Sequence, residues 1–71
     1  MAAMLEDIEQ LGFIDRHIQE LEQRIDGLKT RMAAMTLERY DTHNQEVLLI
    51  AMLETRKDLE KFRAELVQAT S

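Results

Sequence analysis

The sequence predicts an all-α protein, an antiparallel two-helix coiled-coil hairpin that assembles into a helical bundle as an oligomer. Three observations lead to this prediction. The 71 residues include no proline and only two glycines, and residues that favour helices fill most positions. Apolar residues recur in two rows at alternating spacings of four and three, which is the period of a coiled coil. A polar stretch, residues 39–45, separates the two rows and is where the chain is expected to turn back.

The first helix is predicted over about residues 3–38. Going backwards, the row of apolar residues extends to Leu11 and Met4, and Asp7 is its one interruption. Gly12 leaves two alternatives: one continuous helix, or a short first helix that ends there with Asp15 capping the next. The seam of this helix, spaced as in a heptad repeat, is Ile14, Ile18, Leu21, Ile25, Leu28, Met32 and Met35.

The second helix is predicted over about residues 46–69, after a turn at 39–45. A single straight helix would place the two rows about 140° apart, since Met35 and Leu48 are 13 residues apart. The turn also contains capping residues: Thr42 and Gln45 have capping-box spacing, with Asp41 or Asn44 as alternatives. A break is therefore favoured over one long helix with a shifted seam in a parallel oligomer. The seam of the second helix is Leu48, Met52, Thr55, Leu59, Phe62, Leu66 and Ala69.

The two seams match in antiparallel order when the numbers of facing residues add up to 87, as for Met35 with Met52 and Leu28 with Leu59. A register with sums near 83 is an alternative that shortens the turn. The whole chain, residues 1–71, then forms a single domain. Its predicted hairpin core consists of Ile18, Leu21, Ile25, Leu28, Met32, Met35, Met52, Leu59, Phe62 and Leu66.

Two segments carry more apolar side chains than a hairpin can bury. The first helix is predicted to be longer than the second, and residues 47–53 are apolar on every face of their helix. Burying this surplus at about 25 cal/mol per Å² would drive association by several kcal/mol. We expect the chain to bind a second copy of itself, as a dimer in a four-helix bundle, a helical protein partner, or both. The predicted contact residues are Met4, Leu5, Ile8, Leu11, Phe13, Val47 and Ile50.

The composition argues against a catalytic, cofactor or metal site. The chain has no cysteine, which excludes disulfides and thiolate zinc sites. His17 and His43 each precede a glutamate by three residues, the reverse of the di-iron motif, and are interpreted as solvated polar residues. The sequence has no glycine-rich phosphate loop and no serine or cysteine nucleophile apart from Ser71. We therefore predict a protein that is not an enzyme.

The charge distribution argues against nucleic acids and membranes as partners. The net charge of −5 divides into −3 over residues 1–40 and −2 over residues 41–71, so neither half offers a basic stripe. The longest apolar run, residues 47–53, has seven residues, whereas about 20 are needed to cross a bilayer. The first residues are acidic and do not form a secretory signal. A cytoplasmic location is expected.

These features predict a non-enzymatic protein–protein interaction module. The alternative is a small chaperone or co-chaperone subunit of a larger complex. In size, acidity and hairpin layout the chain resembles the small co-chaperones of type III secretion needle subunits. The resemblance covers the architecture and no shared motif, and it implies a hetero-complex in which the apolar overhang of the first helix is buried.

Overall fold

The computed structural model of the protein is a hairpin of two helices that lie side by side. It describes the backbone of residues 2–70 and the side chains of residues 8–69. Helix α1 spans Ala2–Leu37 and helix α2 spans His43–Thr70. The hairpin measures 57 × 14 × 14 Å, the length of one long helix and the width of two. Of the two alternatives at Gly12, the structure has the continuous helix.

The end of α1 is closed by hydrogen bonds of the Schellman type. The N–H of Tyr40 donates to the carbonyl of Met35 at 2.8 Å, and the N–H of Arg39 donates to the carbonyl of Thr36 at 3.1 Å. This pattern requires a left-handed residue between helix and turn, and Arg39 supplies it with φ of 64°. Glycine is the usual residue there because it has no Cβ to clash. The chain thus leaves α1 abruptly, without glycine.

The start of α2 is stabilised by the side chain of Asp41. Its side-chain oxygen accepts a hydrogen bond from the N–H of His43 at 2.9 Å, which satisfies a donor left free at the helix end. The carbonyl of Thr42 accepts from the N–H of Glu46 at 2.9 Å, the first bond of the helix ladder. Of the predicted alternatives, Thr42 is at the N-cap position, and Asp41, one residue earlier, supplies the side-chain hydrogen bond. As a result α2 begins at 43 rather than 46, and the turn has five residues, 38–42.

The most deeply buried residues of the described part all lie on α1. Ile14, Ile25 and Leu28 are buried, with Ile25 only 1% exposed. The other predicted seam residues of α1 are half-buried, and so is Leu11 one turn earlier. From Leu11 to Met35 the apolar row of α1 therefore faces α2, as its spacing predicts. The half-buried seam residues are Ile18, Leu21, Met32 and Met35.

The face that α2 turns toward α1 differs from the predicted one. Phe62 is 51% exposed and Leu48 is 50% exposed, and Thr55 and Ala69 are exposed as well. The prediction of Phe62 as a core residue is wrong. Three predicted core residues of α2, Met52, Leu59 and Leu66, face α1 as predicted. Between them the inward-facing position is one residue later than predicted, as for Arg56 in place of Thr55, so the helix is rotated by about 50° from its predicted orientation. The half-buried residues of α2 are Gln45, Leu49, Met52, Leu53, Arg56, Leu59 and Leu66.

The register of the hairpin also differs from the predicted one. Asp15 is ion-paired with Arg63, and Leu21 and Leu59 line the same groove, so the numbers of facing residues add up to about 80 instead of 87. The predicted pairing of Leu28 with Leu59 is therefore wrong. The physical reason is the five-residue turn, which folds the chain about Tyr40. α1 has 36 residues and α2 has 28, so the N-terminal part of α1 extends beyond α2.

Candidate interaction surface

Four of the predicted contact residues are exposed in the hairpin. Ile8 and Phe13 on α1 are 56% and 63% exposed, and Val47 and Ile50 on α2 are 54% and 57% exposed. Leu11, in contrast, is half-buried and continues the seam. The last two predicted contact residues lie outside the side chains that the structure describes; they are Met4 and Leu5.

A second row of exposed apolar side chains on α2 was not expected to be on the surface. Leu48, Thr55 and Phe62 follow one another at intervals of seven residues, so they lie on one stripe of the helix. Ala51 lies on the same side between Leu48 and Thr55 and is also exposed. The sequence analysis places Leu48, Thr55 and Phe62 in the seam of α2, with Phe62 in the hairpin core, and does not include Ala51. We call these four residues the α2 stripe.

The α2 stripe borders a groove between the two helices. The groove encloses about 190 Å³, and α1 contributes His17, Glu20, Leu21 and Arg24 to its walls. From α2 it is lined by Thr55 and Leu59. The α2 stripe, the groove and the exposed polar row of α1 therefore lie on one side of the hairpin, which we call the groove-side face.

Thr55, at the centre of the α2 stripe, has its hydroxyl already satisfied. The hydroxyl donates to the carbonyl of Ala51, one turn earlier in α2, at 2.9 Å. Threonine often bonds the backbone of its own helix in this way, with its methyl group free to contact other groups. The stripe is therefore more apolar than its sequence suggests, since burial of Thr55 would leave no donor unpaired.

The opposite side of the hairpin carries the ion pairs. The guanidinium of Arg63 donates to the carboxylate of Asp15 across the two helices, and this hydrogen bond and charge raise the pKa of Arg63 above its usual value. Arg56 lies 3.9 Å from Glu60 one turn later on α2. Exposed pairs of this kind contribute little to stability. On this side of the hairpin, charged side chains are paired within the chain, which distinguishes it from the groove-side face.

The described side chains form no cluster that could hold a metal ion. Within residues 8–69, no three histidine, aspartate or glutamate side chains converge on a point where a metal ion would fit. No polar or charged side chain of this part is buried, so none lies in the low-dielectric site that shifts catalytic pKa values. His17 and His43 are separated by about 30 Å along the hairpin, given the register. Neither α1 nor α2, over the part described, contains a stretch long and apolar enough to cross a membrane.

Phe13 is the largest exposed side chain on α1 apart from the turn region. The guanidinium carbon of Arg16 lies 6.0 Å from the centre of its ring, at the limit of a cation–π contact. Such a contact at an exposed site is worth about 0.5 kcal/mol and leaves most of the ring open to a partner.

Comparisons with known proteins give no match: no protein-family model fits the chain, and no curated protein or solved structure is significantly similar to it.

Proposed function

We propose that this chain is a non-enzymatic interaction module, a helical hairpin that binds other helices, its own copies included, through the groove-side face. The observation that carries the proposal is the α2 stripe. Leu48 and Phe62 stay half-exposed in the hairpin although they lie beside its seam. Completing the burial of such side chains is worth about 1 kcal/mol each. A helix docked over the groove would cover both of them together with the groove.

The surface area supports the same proposal. A compact protein of 8.3 kDa exposes about 4,600 Å² by the general scaling of area with mass. This hairpin exposes 5899 Å², because a two-helix rod has no second layer. The surplus of about 1,300 Å² exceeds the roughly 800 Å² that each partner contributes to a standard interface.

A small chaperone or co-chaperone subunit is the second candidate. It is favoured by the free end of α1, where Ile8 is exposed beyond the end of α2 and Phe13 is exposed within about one turn of that end. In that case a helix of a different protein would cover this end, and the hairpin would be one part of a hetero-complex.

The experiment compares two charge substitutions that lie two residues apart. Leu48→Glu introduces a charge into the α2 stripe, whereas Ile50→Glu introduces the same charge about 200° away around the helix. Leu48 and Ile50 are 50% and 57% exposed, so neither change should unfold the hairpin. In sedimentation, the parent chain should have a mass above 8.3 kDa at micromolar concentration. Leu48→Glu should lower this mass far more than Ile50→Glu, because an unpaired charge buried in a contact costs several kcal/mol.

Circular dichroism on the same samples checks that both variants keep their helices. Should the parent chain be a monomer, its immobilised form is compared with immobilised Leu48→Glu for the proteins that each retains from cell extract. The proposal is wrong if the parent chain is a monomer and retains no protein that Leu48→Glu fails to retain.

A further inference from the structure

We propose that a second copy of this chain covers the groove-side face, related by a two-fold axis that is perpendicular to the helices and passes beside Thr55. In this arrangement α2 packs antiparallel against α2 of the other copy, and the two turns lie at opposite ends of the assembly. The inference rests on the proposed function, and it adds the identity and the orientation of the partner.

Three of the four residues of the α2 stripe are spaced symmetrically, with Thr55 at the centre. Leu48 precedes Thr55 by seven residues and Phe62 follows it by seven, so a two-fold axis at Thr55 places Leu48 of each copy opposite Phe62 of the other. An interface around a two-fold axis requires such self-complementarity, because the same patch serves both copies. A leucine and a phenylalanine that are each half-exposed then cover one another twice.

The centre of this contact is suited to burial. Two copies of Thr55 would meet at the axis, and both hydroxyls already donate to the carbonyl of Ala51 at 2.9 Å. The small side chain of Ala51, one turn away, lets the two helices approach closely. No donor of the stripe would lose its partner on association, which removes the largest penalty for burying a polar residue.

Charges of α1 that lie away from the axis are paired by it, whereas Arg24, which lines the groove one residue from the axis, meets Arg24 of the other copy. In the register of the hairpin, residue 25 of α1 lies at the height of Thr55. Glu20 lies five residues to one side of this height and Arg31 six residues to the other, and both are exposed on the row that borders the groove. The axis therefore brings Glu20 of each copy to within about one residue of the height of Arg31 of the other. Neither side chain has an ion pair with the described residues of its own chain.

The competing arrangement has its two-fold axis parallel to the helices, with α1 packed on α2 of the other copy and both turns at one end. It would place Arg24 at the height of Glu54 and Asp58, which is a favourable set of charges. However, it would also set the charged row of α1 against the apolar α2 stripe. Burial of apolar area dominates association, and exposed ion pairs contribute little, so the antiparallel contact of the two stripes is favoured.

The two arrangements predict opposite effects of one substitution. With α2 packed antiparallel on α2, Glu54 and Asp58 of both copies gather near the axis, so Glu54→Lys removes a like-charge cluster. It should strengthen the dimer by roughly threefold to tenfold. With the axis parallel to the helices, the new lysine would face Arg24 of the other copy and weaken the dimer. Glu22→Lys, exposed on the other flank of α1, makes the same change in net charge and should have little effect.

The orientation is measured directly with a spin label in the turn. The chain has no cysteine, so Tyr40→Cys, an exposed position whose backbone bonds are kept, gives one label per copy. We expect two labels about 45 Å apart, since each turn lies 15 residues from the axis. A separation of about 20 Å, the width of a helical bundle, would place the turns together and overturn the proposed orientation.

The outcomes separate this inference from the proposed function. A dimer with a short label distance, or one weakened by Glu54→Lys, refutes the antiparallel contact and leaves the interaction module standing. A parent chain that stays monomeric refutes the proposal that a second copy covers the groove-side face. The proposed function is then decided separately, by comparing the proteins that the parent chain and Leu48→Glu each retain from cell extract.

Discussion

The two helices of this hairpin use their apolar residues differently. α1 directs them into one seam, and the three buried residues of the described part all lie on it. α2 distributes them over more than one face: its inner face contains Gln45 and Arg56, while Leu48 and Phe62 lie outside. A helix with one narrow apolar face has one way to pack in a pair. A helix with a wider apolar surface retains some of it for a further contact.

The difference between the two helices predicts that removing a buried side chain from α1 has the largest effect on stability. Ile25→Ala should lower the free energy of unfolding by about 2–4 kcal/mol, because it leaves a cavity at the most buried position of the hairpin. Phe62→Ala removes more atoms from α2 but should cost less than about 1 kcal/mol in the isolated hairpin, since the ring is half-exposed.

Urea denaturation followed by circular dichroism gives both values. It is done at the lowest usable protein concentration, where association contributes least to stability. Equal losses for Ile25→Ala and Phe62→Ala would mean that α2 contributes to the fold through the stripe after all.

A second prediction concerns replacing a charged residue on the inner face of α2 by an apolar residue, as on the inner face of α1. Arg56 is half-buried at the inner face, at the height of Ile25, and its ion pair with Glu60 is long and partly exposed. Arg56→Leu should raise the free energy of unfolding by about 1 kcal/mol, because it exchanges a partly desolvated charge for apolar contact. Lys57→Leu, the exposed neighbour, is the control and should leave stability within about 0.5 kcal/mol. If thermal melts show no gain for Arg56→Leu over this control, the arginine stem already fills the seam.

The smallest expected effect concerns α1 alone. Gly27 lies inside α1, and a Cβ added there meets no atom within 4 Å. Gly27→Ala should therefore stabilise the helix by about 0.5–1 kcal/mol through the backbone entropy of the unfolded chain. The change adds no contact with α2, so the packing of the two helices should be unaffected. Thermal melts at low protein concentration measure the effect, and a loss of stability there would contradict the open space around Gly27.

The seam of α1 could be predicted because only one set of positions in this helix has apolar residues at heptad spacing. The face of α2 could not. The predicted and observed faces share Met52, Leu59 and Leu66. For the position between Leu59 and Leu66, apolarity alone favours Phe62 over its neighbour Arg63. The orientation of α2 about its own axis depends on the residue at which the turn ends. The pattern of apolar residues does not predict that residue.

The ends of the turn depend on two residues whose roles the sequence signals weakly. Arg39 adopts a left-handed conformation that is usually marked by glycine, so the polar stretch predicts the end of α1 to within one residue, at about 38, without a C-cap signal. Asp41 was one of several possible caps in a polar stretch. The part of the candidate surface that depends on the phase of α2, the exposure of Leu48 and Phe62, was missed for the same reason.

The closed turn also has a consequence for how the chain folds. Its hydrogen bonds join residues at most five positions apart, so the reversal can form before any distant residues meet. Pairing can then proceed outward from the turn, each new layer closing only a small additional loop, which is the low-contact-order route typical of fast-folding helical proteins. In that sequence of events Asp41 and Arg39 influence the rate of folding. Ile14, at the far end of the hairpin, would pack last and would influence mainly the rate of unfolding.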